Sequence, residues 1–229
     1  MARLLIHVEG QTEESFVNEV LRDHLVGVGY ESVGARIVGN ARLRRRRGGI
    51  RPWLAVRRDI INHLKQDAGC LATMMVDFYG LPQAGDGAWP GRSAAASAQA
   101  HRKAPTVEAA LAADLANEAG EQIDPARFIP FVVVHEFEGL LFSDCGAFAQ
   151  GIGRTDLESR FRQIRDEFAT PEDINDSPDT CPSKRVTDLV PGYEKPLLGI
   201  LAALEIGLAR IRAECPHFAE WLNRLESRV

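Results

Sequence analysis

Residues 3–14, Arg3-Leu4-Leu5-Ile6-His7-Val8-Glu9-Gly10-Gln11-Thr12-Glu13-Glu14, decide the fold. The first six are a short, mostly apolar run that reads as a strand, and Glu9-Gly10-Gln11 breaks it. Thr12, Glu13 and Glu14 then open a helix with the N-cap type and acidic first turn that the helix dipole favours. Phe16, Val17, Val20, Leu21, His24, Leu25 and Val28 follow at three- and four-residue spacing, so one face of that helix is buried. Gly27 and Gly29 can end it. Strand, tight turn and helix make the opening unit of an α/β domain.

The rhythm continues along the chain. Residues 33–38 read as a second strand, 53–66 as an amphipathic helix opened by Pro52, and 70–76 as a buried strand that delivers Asp77 at its carboxyl end. Residues 81–105 are a Gly/Ala/Ser/Pro segment too long for a routine connection, hence a functional loop or a partly disordered one. A third helix is expected over 106–119 and a fourth strand over 128–134. Beyond residue 143 no convincing strand remains; 171–188 reads as a polar, turn-rich loop, and 196–212 and 216–225 as helices. The expected fold is α/β: a mainly parallel four-stranded sheet flanked by helices over residues 1–145, with a helical extension over 146–229 packed on it.

The cysteines Cys70, Cys145, Cys181 and Cys215 are far apart, without the spacing of a zinc site, so no staple is expected. No charged-then-apolar leader opens the chain and no apolar run approaches the ~20 residues of a membrane helix, so a soluble, cytoplasmic protein is expected. A net charge of −5 argues against a wholesale basic coat for nucleic acid. It hides a local patch, because Arg42, Arg44, Arg45, Arg46, Arg47 and Arg51 crowd the stretch between the second strand and the second helix. A dense arginine run suits contact with a phosphate backbone; the alternative is a solvated loop or one that meets an acidic partner. Trp53, next in line, reads as core, with base stacking the lesser alternative.

Ligands of an open parallel sheet sit beyond the carboxyl ends of its strands. Three of the four expected strands end in acid: Glu9 after the first, Asp77 after the third, and Glu136 with Glu138 after the fourth. Oxygen donors gathered at one sheet edge suit a hard cation such as Mg²⁺ or Mn²⁺. Glu136 and Glu138 point to opposite sides if the strand continues, leaving one of them at most as a direct ligand. Glu13 taken alone is better explained by helix capping than by metal. His135 beside them is a proton shuttle, a ligand or a hydrogen-bonded structural residue. Ser183-Lys184-Arg185 places two cations in the polar loop, where Lys184 could neutralise charge on a phosphoryl transition state and Arg185 could contact nucleic acid. No Gly-x-x-x-x-Gly-Lys loop is present, so any ATP hydrolysis would come from a partner.

Residues 8–14 (VEGQTEE), 75–82 (MVDFYGLP), 134–138 (VHEFE), 182–185 (PSKR) and 215–218 (CPHF), taken in order, carry a family resemblance. The chain resembles the Toprim-like (Rossmann-like) proteins catalogued as domain of unknown function 4276, relatives of the nuclease domain in overcoming-lysogenization-defect proteins. That resemblance implies metal held between Glu9 and Asp77, with Glu13 matching the second glutamate of the related nucleases. Tyr79 stands where the family pattern has the second aspartate of Asp-x-Asp, so Glu136, Glu138 or Asp86 would have to supply the missing oxygen. The related nucleases use a lysine as catalytic cation, which the resemblance assigns to Lys184, with Tyr193 and Lys195 just beyond. A metal-dependent nuclease of a phage-defence system with an ATPase partner is the implied function. The alternative is an inactive Toprim-like module that binds nucleic acid or regulates a partner.

Overall fold

The computed structural model describes residues 2–38, 50–174, 177 and 180–229. Its sheet is built from β1 (Arg3–Val8), β2 (Ser32–Ile37), β3 (Cys70–Asp77), β4 (Phe128–Ile129) and β5 (Val132–Val133). The order is β2-β1-β3-β4, with β5 also paired to β3, and every pairing is parallel. Val8 lies beside Ile37 on one side and Met75 on the other, while Asp77 lies beside Val133. Parallel pairing in this register brings the carboxyl ends of β1, β3 and β5 to one edge. Glu9, Asp77 and residues 135–138 therefore meet there.

Alternation along β1 divides the core. Leu4, Ile6 and Val8 share one buried cluster with Phe16 and Leu21 of the first helix and with Phe137, Phe148, Phe218 and Trp221. Helices of residues 146–229 thus pack on the same face of the sheet as the first helix. The opposite face holds Trp53, Val56 and Ile60 of the helix Trp53–Gln66 and Val107 and Leu111 of the helix Ala100–Ala119, against Met74 and Val76 of β3. Covered on both faces, β3 is the near-continuous apolar run that a central parallel strand requires. Trp53 is core: its ring lies 5.1 Å from that of Trp89, and its indole N–H donates to Asp114 at 2.6 Å.

Several elements differ from the sequence reading. The expected fourth strand is two short pieces, β4 and β5, because Pro130 between them has no N–H for the ladder. The third helix begins at Ala100 instead of 106, with Pro105 inside it and Lys103 and Ala104 buried. Gly207, at φ 78°, splits the expected helix 196–212 into Lys195–Ile206 and Leu208–Glu214. The polar stretch 171–188 contains the helix Pro182–Leu189, with proline in its first turn. Among the described residues, no helix is long and apolar enough to cross a membrane.

Candidate functional site

At the carboxyl edge of the sheet four carboxylates surround one ammonium. Glu9 leaves β1 and its Oε2 accepts a hydrogen bond from the backbone N–H of Asp77 at 3.2 Å. Position 80 has to be glycine for this: a Cβ there would stand 2.7 and 2.9 Å from the two carboxylate oxygens of Glu9. Glu13, 3% exposed, accepts from the N–H of Gly10 at 2.9 Å, so it does cap its helix. Asp77 accepts from the N–H of Phe137 at 2.9 Å through Oδ1, and its Oδ2 lies 3.3 Å from Nζ of Lys195. Glu138 has no exposed surface, and its Oε2 lies 2.9 Å from the same Nζ.

Lys195 opens the helix Lys195–Ile206, where a cation opposes the helix dipole unless an anion meets it. Its side chain is 35% exposed, and its ammonium pairs with Asp77 and Glu138. Burial alone would lower its pKa; Asp77, Glu138 and Glu13 outweigh that and hold it well above its ordinary value. The acids go the other way. Burial, then the charges of Asp77 and Glu13, push Glu9 up to about 8. Burial chiefly, with Asp77 adding, pushes Glu13 up to about 7, and burial drives Glu138 to about 7 against the opposing pull of Lys195. Asp77 is raised as well, by burial first. Near neutral pH the cluster therefore retains protons.

The turn after β5 is shaped by His135, a non-glycine residue at φ 66° and fully buried. Holding such a conformation costs of order 1–3 kcal/mol. Its ring stacks on that of Tyr79 with centroids 5.3 Å apart and planes 20° apart, and its carbonyl accepts from the N–H of Tyr79 at 3.3 Å. Tyr79 thus turns to His135. The strand ends at Val133, so its alternation does not reach Glu136 and Glu138; Glu138 joins the cluster from the start of the helix Glu138–Leu141, whereas Glu136 accepts from the N–H of Ser183 at 2.9 Å and caps the helix Pro182–Leu189.

The family described as "Domain of unknown function (DUF4276)" matches residues 8–226, nearly the whole length. The chain belongs to this family. No curated protein and no solved structure matches it. Every member of the acidic cluster, and Lys195 with it, falls within the DUF4276 match.

Other expected site residues of this DUF4276 chain lie elsewhere. Lys184 forms an exposed i,i+4 ion pair with Asp188 at 2.7 Å, so the lysine that enters the cluster is Lys195. Arg185 donates to the carbonyl of Thr180 at 2.8 Å and lies over the ring of Phe168. Arg51 pairs with Asp59 at 2.7 Å. Arg42, Arg44, Arg45, Arg46 and Arg47 lie outside the described residues. Among the described residues, no three His, Cys, Asp or Glu side chains are placed to hold one metal ion. In this arrangement Asp77 and Glu138 close on the Lys195 ammonium instead.

Proposed function

We propose that this protein is a Toprim-like, metal-dependent nuclease that hydrolyses phosphodiester bonds, in which Glu9, Glu13, Asp77 and Glu138 would close on Mg²⁺ or Mn²⁺ in place of the Lys195 ammonium. The observation that carries the reading is the gathering of Glu9, Asp77 and Glu138 from the ends of β1, β3 and β5, with Glu13 of the first helix, beside Lys195, whose ammonium contacts Asp77 and Glu138. The donor set is all oxygen, which suits a hard cation, and the bare Cα of Gly80 makes room for the Glu9 carboxylate. When bound, such an ion supplies Lewis-acid stabilisation of developing negative charge. Lys195 donates to the phosphoryl oxygens that gain charge, Asp77 is kept oriented by the Phe137 amide, and the two enclosed glutamates exclude bulk water from the edge.

The arginine run supports nucleic acid as the substrate. The chain leaves the sheet towards it at Val38, whose N–H bonds to the carbonyl of Val8 at 2.8 Å, one residue before Glu9. Guanidinium groups suit contact with a phosphate backbone. An ATPase partner and a phage-defence role rest on the family resemblance. Tyr79 favours a second reading, an inactive nucleic-acid-binding or regulatory module, because its ring stacks on His135 where an aspartate would offer a carboxylate.

Incubating the wild type and Asp77→Ala with single- and double-stranded DNA and RNA, in Mg²⁺ or Mn²⁺ against EDTA, separates the two. Metal-dependent cutting lost in the variant supports the nuclease. Binding without cutting, persisting in EDTA, supports the module.

A further inference from the structure

We propose that Tyr79, stacked on His135, is a positioning residue that sets the geometry of the acidic cluster, an inference that rests on reading those acids as one site. Three contacts carry it. The Tyr79 ring lies on the His135 ring at 5.3 Å, and the Tyr79 N–H donates to the His135 carbonyl, so the turn after β3 is fastened to the turn after β5 by ring and backbone together. His135 takes the left-handed conformation, which reverses the chain just before the Phe137 N–H reaches Asp77 and the Glu138 carboxylate reaches Lys195. Gly80, next to Tyr79, is the residue whose missing side chain admits the Glu9 carboxylate.

One aromatic stack thus borders every strand end that contributes an acid. An aspartate at position 79 would offer an oxygen; the tyrosine instead fixes where the oxygens of Asp77 and Glu138 stand. Supporting groups of this kind change metal affinity about 10- to 100-fold when removed.

The test compares Tyr79→Leu, Tyr79→Phe and His135→Gly by two readouts: hydrogen exchange at the Phe137 amide, followed by NMR, and Mn²⁺ affinity, followed by electron paramagnetic resonance. His135→Gly keeps a residue that accepts φ 66° and deletes the ring, so it folds even if Tyr79→Leu is impaired. Exchange at the amides of Leu4 and Ile6 in β1 controls for global opening. The expected result is exchange at Phe137 faster by about tenfold or more, and Mn²⁺ binding weaker by about tenfold, in Tyr79→Leu and His135→Gly, with Tyr79→Phe like the wild type. Unchanged Phe137 exchange in both ring-deleted variants overturns the proposal. A wild type that binds no Mn²⁺ defeats the metal reading, and the Phe137 exchange then decides this one by itself.

Discussion

The ammonium of Lys195 stands 2.9 Å from a carboxylate oxygen of Glu138, a side chain with no exposed surface. Removing one partner of an enclosed pair leaves the other charge uncompensated. Lys195→Met should therefore lower stability in EDTA at pH 8 by about 2 kcal/mol, less than a fully buried pair because the lysine side chain is 35% exposed. In the same variant Mg²⁺ or Mn²⁺ should raise Tm more than in the wild type, since the ammonium no longer competes for Asp77 and Glu138. Urea unfolding and thermal melts read both, and equal metal-induced shifts in the two proteins would refute the competition.

The metal-free protein should lose stability as pH rises. Carboxyls in an unfolded chain release their protons near 4.5, whereas burial and mutual repulsion hold Glu13 and Glu138 to about 7 and Glu9 to about 8. Between those limits the folded state binds more protons than the unfolded one, so stability falls with pH, opposite to the usual salt-bridged carboxylate. Denaturation in EDTA at pH 5, 6.5 and 8 should give decreasing free energies. Glu13→Gln should flatten the decline, and an unaltered slope would show that Glu13 contributes nothing to it.

The mostly apolar runs 3–8 and 70–76 made the sheet legible, because burial on both faces of β3 leaves mainly apolar choices. Glu9 and Asp77 were legible for the same reason: an acid directly after a buried strand is conspicuous. Lys195 was noticed only as a neighbour of Lys184, because the sheet edge it folds back onto is more than 100 residues away in sequence. Its place at the start of an apolar helix, against the dipole, was the available signal. The stacking of Tyr79 on His135 joins residues of separate turns and has no periodic signature.

Gly80→Ala should separate site from fold. The nearest atoms to the added Cβ would be the carboxylate group at the end of the Glu9 side chain, and that end can swing aside at little cost to the backbone. Tm should stay within a few degrees of wild type, while Mn²⁺ affinity falls about tenfold as Glu9 leaves its place. Wild-type affinity in Gly80→Ala would remove Glu9 from the ligand set.

His217 adds a second, independent pH dependence. Its ring lies 2.8 Å from Glu108, which also accepts from the N–H of Val132 at the start of β5. Burial alone would lower the pKa of this imidazole, but the hydrogen bond to Glu108 and the charges of Glu108, Glu172 and Glu220 raise it above 6.5. A raised histidine contributes stability that is complete below the unfolded value of 6.5 and is lost as pH rises through the folded one. The decline therefore has the same sign as that of the carboxylate cluster and overlaps it above pH 6.5, so one titration cannot divide them. His217→Asn should remove only the part above 6.5 and leave the fall between pH 5 and 6.5 intact, whereas Glu13→Gln should act in both intervals. Binding of Mg²⁺ or Mn²⁺ should cancel the cluster's share and leave that of His217, because Glu108 and His217 lie apart from the acids around Lys195. If His217→Asn has the wild-type slope above pH 6.5, the His217 imidazole binds its proton no more tightly in the folded protein than in the unfolded chain, and the whole decline belongs to the cluster.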